Sequence, residues 1–341
     1  MDMPNDKLLS IIVPSYNEES MIEKTFYTVK EIMEEALIPF EIIFIDDGSR
    51  DSTYHNIFLL SQKYSEIKGI SFSRNFGKES AIFAGLELAK GACCVIMDCD
   101  LQHPPVTIVE MYHLWEKGYE VVEGVKYSRG KENILHTLCA KCFYGLISWA
   151  TGFDMTNASD FKLLDRRAVE ALLLTSERTP FFRALSSWIG FSATSVFFEV
   201  QERTVGTSKW SVWSLARYAI RNITSFSSAP MQFVTFTGWS MLLFSFVFAV
   251  HSLYRYFSGT AVEGFTTVIL LLLIINSVLM ISLGIIGHYI SRIYEEIKGR
   301  PRYIIQKQCG YESVKCTSEK GAVQRLSIRG GEKHQKVPQD D

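Results

Sequence analysis

Residues 92–105 read ACCVIMDCDLQHPP: six apolar or small residues, then Asp98 and Asp100 separated by one residue, then two prolines. A short apolar run with such an end is a buried strand that stops abruptly. The same unit recurs upstream. LLSIIVPSYN (8–17), FEIIFIDD (40–47) and KGISFSRN (68–75) also read as strands. The segments between them, MIEKTFYTVKEIMEEAL (21–37), STYHNIFLLSQKYS (52–65) and KESAIFAGLELAK (78–90), read as helices. Strands that are apolar throughout and alternate with helices imply an α/β domain with a mostly parallel sheet covered on both faces. Ligands of such sheets sit at the carboxyl ends of the strands. That rule puts Pro14–Glu18, Asp46–Ser49, Ser73–Gly77 and Asp98–Gln102 on one rim.

Two carboxylates this close repel each other unless a cation compensates them or one of them stays protonated. A divalent metal that also binds phosphate oxygens would satisfy both, and hard oxygen donors suit Mg²⁺ or Mn²⁺. In an extended segment Asp98, Asp100 and Gln102 point to one side and Cys99 to the other. A solvated loop is the competing reading of two acids taken alone. At Asp46 and Asp47, Gly48 and Ser49 make a tight turn, Asp51 is expected to cap the next helix, and one of the pair is left to accept hydrogen bonds from a base or ribose. In VPSYNEE, helix capping by Asn17 or Glu18 competes with ligand binding.

Beyond Pro105 the pattern continues as a helix, a strand EVVEGVKY (120–127), an amphipathic helix HTLCAKCFYGLISWA (136–150), a strand and helix in SDFKLLDRRAVEALLL (159–174), and a strand TSVFFEVQERT (194–204). The CxxC of Cys139 and Cys142 lacks a second pair at zinc spacing, so helix packing is its favoured role. Seven cysteines, an odd number, fit a reducing compartment without disulfides.

The net charge of −2 gives no general basic field, so nucleic acid is not an expected partner. Apolar residues concentrate late. Residues 231–254 and 264–291 contain no Asp, Glu, Lys or Arg. Runs of about 24 and about 28 residues are each long enough, at about 1.5 Å per residue, to cross a hydrocarbon layer of about 30 Å. Lys209, Arg217 and Arg221 precede the first span, and Arg292, Lys298, Arg300 and Arg302 follow the second, whereas the connector SGTAVEG has no basic residue. The positive-inside rule then places both termini in the cytoplasm. The apolar N-terminal stretch is broken by Pro14 and is too short for a signal peptide. The expected organisation is a cytoplasmic α/β domain over 1–208, an interfacial Trp- and Arg-bearing helix over 209–229, spans at about 231–256 and 264–290, and a partly disordered tail over 293–341.

VPSYNEE (13–19), IDDGSRDST (45–53), SRNFGKESAIFAGL (73–86) and MDCDLQHPP (97–105), in this order, resemble the nucleotide-sugar-binding half of family 2 glycosyltransferases with the GT-A fold. SDFKLLDRR (159–167), Glu202–Arg203 with GTSKW (206–210), and the two spans narrow the resemblance to polyprenyl-phosphate glycosyltransferases such as bactoprenol glucosyltransferases and dolichyl-phosphate mannose synthase. It extends over roughly residues 8–305. It implies that Pro14, Tyr16, Glu18, Asp46 and Lys78 surround the nucleotide sugar. Asp98, Asp100 and Gln102 would hold Mg²⁺ or Mn²⁺ and the diphosphate, and Asp160 would face sugar and acceptor as a base or a positioning group. Lys126, Arg129, Arg203, Ser208 and Lys209 would meet the acceptor phosphate. Lys126 stands where the family often has Arg, which trades a bidentate fork for a point charge. The QxxRW motif of processive polysaccharide synthases is absent from the chain.

The implied activity is inverting transfer of a hexose from a UDP-sugar to polyprenyl phosphate in the cell membrane, with UDP-glucose the expected donor. UDP-GlcNAc, UDP-galactose and GDP-mannose are the alternatives, as is another acceptor. A homo-oligomer, a flippase and a downstream glycosyltransferase are compatible partners. The remote alternative is a non-catalytic partner of a lipid-sugar flipping complex.

Overall fold

The computed structural model describes residues 7–126, 159–175, 177, 181–199, 229–258 and 264–311. Among them the chain runs β1 (Leu9–Ser15), α1 (Ile22–Glu35), β2 (Phe40–Asp46), α2 (Thr53–Ser61), β3 (Ile67–Phe72), α3 (Lys78–Leu88), β4 (Cys93–Ile96), α4 (Pro105–Glu116) and β5 (Val121–Lys126). It continues with β6 (Lys162–Asp165), α5 (Arg166–Leu173), α6 (Phe182–Trp188), β7 (Ala193–Phe198), α7 (Ala229–Phe257), α8 (Phe265–Ile297) and β8 (Ile305–Cys309).

The strands form one sheet in the order β7-β5-β6-β4-β1-β2-β3-β8. β4, β1, β2 and β3 are parallel neighbours, as are β5 and β7, while β6 runs antiparallel between β4 and β5. The fold is thus α/β with a mostly parallel mixed sheet, the GT-A arrangement. β1 to β4 are buried along almost their whole length, as expected where helices cover both faces. α1 presents Ile22, Phe26, Val29 and Met33 to the sheet at helical spacing. It packs with α2 and α4, whereas α3 packs with α5 on the opposite face. The layers therefore diverge between β1 and β4. In open α/β sheets such a divergence makes a crevice above the carboxyl ends.

The expected extended row from Asp98 to Gln102 is instead a turn. β4 ends at Ile96, Asp100 Oδ1 accepts from the Gln102 amide at 3.1 Å, and Leu101 adopts φ 56° with its side chain in the core. A non-glycine residue in the left-handed region is uncommon and clusters at functional loops. Pro105 then opens α4, where its missing amide hydrogen leaves no bond unmade.

The segment after α8 returns to the sheet. β8 pairs antiparallel with β3, with Cys309 opposite Gly69. A Cβ at Gly69 would lie 2.4 Å from Ile57 Cγ2 and 2.9 Å from Cys309 Sγ, so the glycine makes room for the docked strand. Arg302 Nε donates to the Glu177 carbonyl at 2.8 Å, and its guanidinium lies 4.8 Å from the Phe83 ring centroid. Tyr303 stacks on Phe72 with centroids 4.9 Å apart.

α7 and α8 contact each other and are long and apolar enough to cross a membrane. No part of their most apolar windows is buried. α8 extends to Ile297, beyond the expected span end near 290. The CxxC helix, the tail past 311 and the helix expected over 209–229, apart from Ala229 at the start of α7, lie outside the described residues.

Candidate active site

The first two βα loops are laced together above β1 and β2. Asn17, itself at φ 55°, receives a hydrogen bond on its side-chain oxygen from the Arg50 amide at 3.0 Å, and its amide donates to Ser49 Oγ at 2.9 Å. The Glu18 amide donates to Thr53 Oγ1 at 2.9 Å. Asp51 accepts from the Thr53 amide at 3.0 Å and the Glu19 amide at 3.3 Å, so it holds the start of α2. These bonds fix Pro14, Tyr16 and Glu18 at the rim. Tyr16 is exposed.

Both acids of the 46–47 pair are buried and bonded within the fold. Asp46 Oδ1 accepts from the Ser49 amide at 2.9 Å and Oδ2 from the Ser71 hydroxyl at 2.6 Å. Asp47 accepts from the Phe76 and Gly77 amides at 2.6 and 2.9 Å, which fixes the loop leading into α3. Gly48 is required directly after the pair: its φ is +68°, and a Cβ would lie 2.5 Å from the Arg74 carbonyl carbon. Asp46 also borders a cavity of about 690 Å³, which reaches across Tyr54, Phe58 and Ser73 to Lys307 of β8.

Charge converges across the cleft. Lys78, the first residue of α3, places Nζ 2.6 Å from Asp98 Oδ1 and 2.9 Å from Asp160 Oδ2. Asp160, 7% exposed just before β6, also receives the Arg183 fork, with Nε at 2.7 Å from Oδ1 and Nη2 at 2.9 Å from Oδ2. Burial alone would raise the Asp160 pKa, but Lys78 and Arg183 outweigh it and hold the carboxyl far below its ordinary value. Asp98 is held low in the same way, burial being outweighed chiefly by Lys78. Lys78, only partly withdrawn from water, is raised because the two carboxylates stabilise its charge.

His103 stacks face to face on Phe161 at 4.6 Å, and its Nδ1 accepts from the Asp98 amide at 3.3 Å. The ring is therefore neutral at that nitrogen, and burial holds its pKa below the ordinary value. Its role is to brace the turn from the apolar side.

Two neighbours of Asp160 were missed by sequence reasoning altogether. Arg183 is the second residue of α6, in TPFFRALSSW (179–188), where a lone guanidinium among apolar residues is the only local signal. Glu79 accepts from the Phe182 amide at 2.9 Å and so ties the start of α3 to the start of α6. Burial, helped by Asp160, pushes its pKa up to about 7 against the pull of the Phe182 amide, Arg183 and Lys78. Fully buried Lys162 braces the same corner, donating to Ser186 Oγ at 2.8 Å and pairing with Glu123 at 2.5 Å.

Among the described residues no three His, Cys, Asp or Glu side chains converge as a metal site. The turn nevertheless carries the Asp98 and Asp100 carboxylates with the Gln102 amide, an all-oxygen donor set. It fits a hard divalent cation that completes its shell with ligand phosphate and water. Of the residues expected at the acceptor phosphate, Lys126 is exposed at the end of β5. Arg129, Arg203, Ser208 and Lys209 lie outside the described residues.

Residues 10–173 match Glycosyl transferase family 2. The chain is 37% identical over 306 residues to the glycosyltransferase YkcC of Bacillus subtilis, covering 89% of this chain and 95% of that protein. It is 36% identical over 301 residues to the SfII prophage-derived bactoprenol glucosyl transferase of Shigella flexneri, covering 88% and 97%. Among solved structures it is similar to glucosyl-3-phosphoglycerate synthase from Mycobacterium tuberculosis in complex with Mn²⁺ and UDP-glucose. That match has a TM-score of 0.46 and 18% identity, and covers 65% of this chain and 79% of the other.

Proposed function

From the premise that this chain belongs to the family 2 glycosyltransferases, we propose that it moves glucose from UDP-glucose to polyprenyl phosphate at the cytoplasmic face of the cell membrane. The observation that carries this reading is the pairing of two features in one chain. A carboxylate-and-cation cluster lies over β4, and two lipid-length apolar helices follow the catalytic domain. The lipid acceptor is supported by the relation to a bactoprenol glucosyl transferase. A soluble acceptor would have no use for the helices.

In this reading the rim residues Pro14, Tyr16, Glu18 and Asp46 border the nucleoside, and Asp98, Asp100 and Gln102 hold Mg²⁺ or Mn²⁺ against the diphosphate. The metal, when bound, neutralises charge gathering on the leaving diphosphate. Lys78 binds diphosphate oxygens from the opposite side of the cleft. Arg183 is fixed by Asp160 so that a cation faces the incoming phosphate. That phosphate, a monoester with a second pKa of about 6, is largely dianionic at pH 7 and brings a nucleophilic oxygen already without its proton. No general base is then required, and Asp160 orients rather than deprotonates. Attack from the face opposite UDP inverts the anomeric centre. Lys126, Arg129, Arg203, Ser208 and Lys209 form the acceptor side near the membrane.

Thermal melting of the full chain in detergent with Mn²⁺ and UDP-glucose, UDP-GlcNAc, UDP-galactose or GDP-mannose tests the donor. A ligand at 100 times its Kd stabilises by about 2.7 kcal/mol. UDP-glucose should give the largest shift at low concentration; a larger shift with GDP-mannose would overturn the nucleotide assignment.

A further inference from the structure

We propose that Lys78 is a resident counter-ion of the metal seat, which makes divalent-cation binding depend on arrival of a diphosphate. The inference rests on the reading of Asp98, Asp100 and Gln102 as metal donors, and adds a step to it. The Lys78 ammonium lies 2.6 Å from Asp98 Oδ1. A dication binding Asp98 in this arrangement would meet a positive charge at contact distance.

The charge balance supports the exchange. Asp98, Asp100 and Asp160, with Glu79 beside them, stand against Lys78 and Arg183, so Lys78 cancels one of the negative charges that would attract a dication. With Lys78 moved away the same seat is one charge more negative, which favours a divalent ion. Asp160 gives up one of its three charge-assisted bonds in the move and keeps the Arg183 fork on both of its oxygens.

The chain around Lys78 lets the side chain move alone. The two amides before it, Phe76 and Gly77, are held by Asp47, and the following Glu79 is tied to Phe182, so the backbone is fixed on both sides. The Lys78 side chain is 40% exposed on a flexible four-carbon stem, so its ammonium can leave Asp98 without disturbing α3. A diphosphate entering the cleft offers that ammonium a new anionic partner and offers the metal further oxygen ligands. Each ligand then favours the other, and by linkage the effect is reciprocal. His103 does not replace the lost charge, since its Nδ1 is an acceptor.

The test is direct Mn²⁺ binding to the full chain in detergent, read from the electron paramagnetic resonance signal of unbound Mn²⁺, with and without saturating UDP. Without UDP, Lys78→Met should bind Mn²⁺ about tenfold more tightly than the parent, equivalent to about 1.4 kcal/mol. With UDP the advantage should vanish or reverse, because the variant has lost a diphosphate ligand. Equal affinities without UDP would overturn the proposal, as would an advantage of the same size with and without UDP, which is what simple removal of a nearby charge gives. Lys78→Gln is measured alongside and decides the matter if the Met variant does not fold. Asp98→Ala with UDP separates the two readings. If it retains parental Mn²⁺ affinity, the metal seat itself is misplaced; if it loses affinity while the Lys78 variants match the parent, only the counter-ion role fails.

Discussion

Asp160 is held by three charge-assisted hydrogen bonds from two cations, an arrangement suited to placing those cations and unsuited to taking up a proton. Asp160→Asn should therefore lower kcat by about a hundredfold or more, on the scale of losing a preorganised charge contact. The ratio of parent to variant should stay constant from pH 6.5 to 8.5, and a ratio that changes tenfold per pH unit would mark a base. Glu79 carries a second prediction. Its folded pKa of about 7 lies above the ordinary 4.5, so the folded protein binds the extra proton and its contribution is greatest below pH 4.5. That stability is lost as pH rises from 4.5 through 7. Glu79→Gln, which cannot ionise, should gain on the parent over this window by on the order of 2 kcal/mol, read as a melting-temperature difference that widens with pH; a constant difference would contradict it. Asp98 and Asp100 were legible in the sequence because they interrupt an apolar strand. Arg183 and Glu79 were not, since their bonds join residues 23 and 103 positions apart and leave no periodic trace.

At the level of elements, the apolar runs of β1 to β4 announced themselves because a doubly covered parallel strand has few polar positions. β6 was read as a strand, but its antiparallel insertion beside β4 depends on long-range pairing. The Asp98–Gln102 row was read as extended, whereas Leu101 turns the chain over. β8 was missed for a different physical reason. IQKQC is mostly polar because an edge strand with one exposed face needs little apolar character. Its docking depends on a missing side chain in β3. Gly69→Val should force Ile57 or Cys309 aside and lower stability by about 1–3 kcal/mol, as overpacking does, and Cys309→Ala should restore part of it. A Gly69→Val protein that melts with the parent would show that β8 is not seated as described.

Over the whole molecule, β8 means that the segment following α8 ends on the catalytic sheet, through Arg302, Tyr303 and the β3 pairing. The two apolar helices were the plainest feature of the sequence, because charge-free runs of that length have few alternatives. Their large exposed side chains, Phe233, Trp239 and Leu243 among them, suit an apolar surrounding. The full chain should accordingly sediment with membranes after a high-salt wash and enter solution only with detergent. The most direct test is transfer of labelled glucose from UDP-glucose into the organic phase by the full chain with polyprenyl phosphate and Mn²⁺, run beside Asp98→Ala and Asp100→Ala. Label should enter the organic phase only when the lipid is present, and each variant should reduce the rate by about a thousandfold or more. Label that stays in water, or variants as fast as the parent, would contradict the assignment.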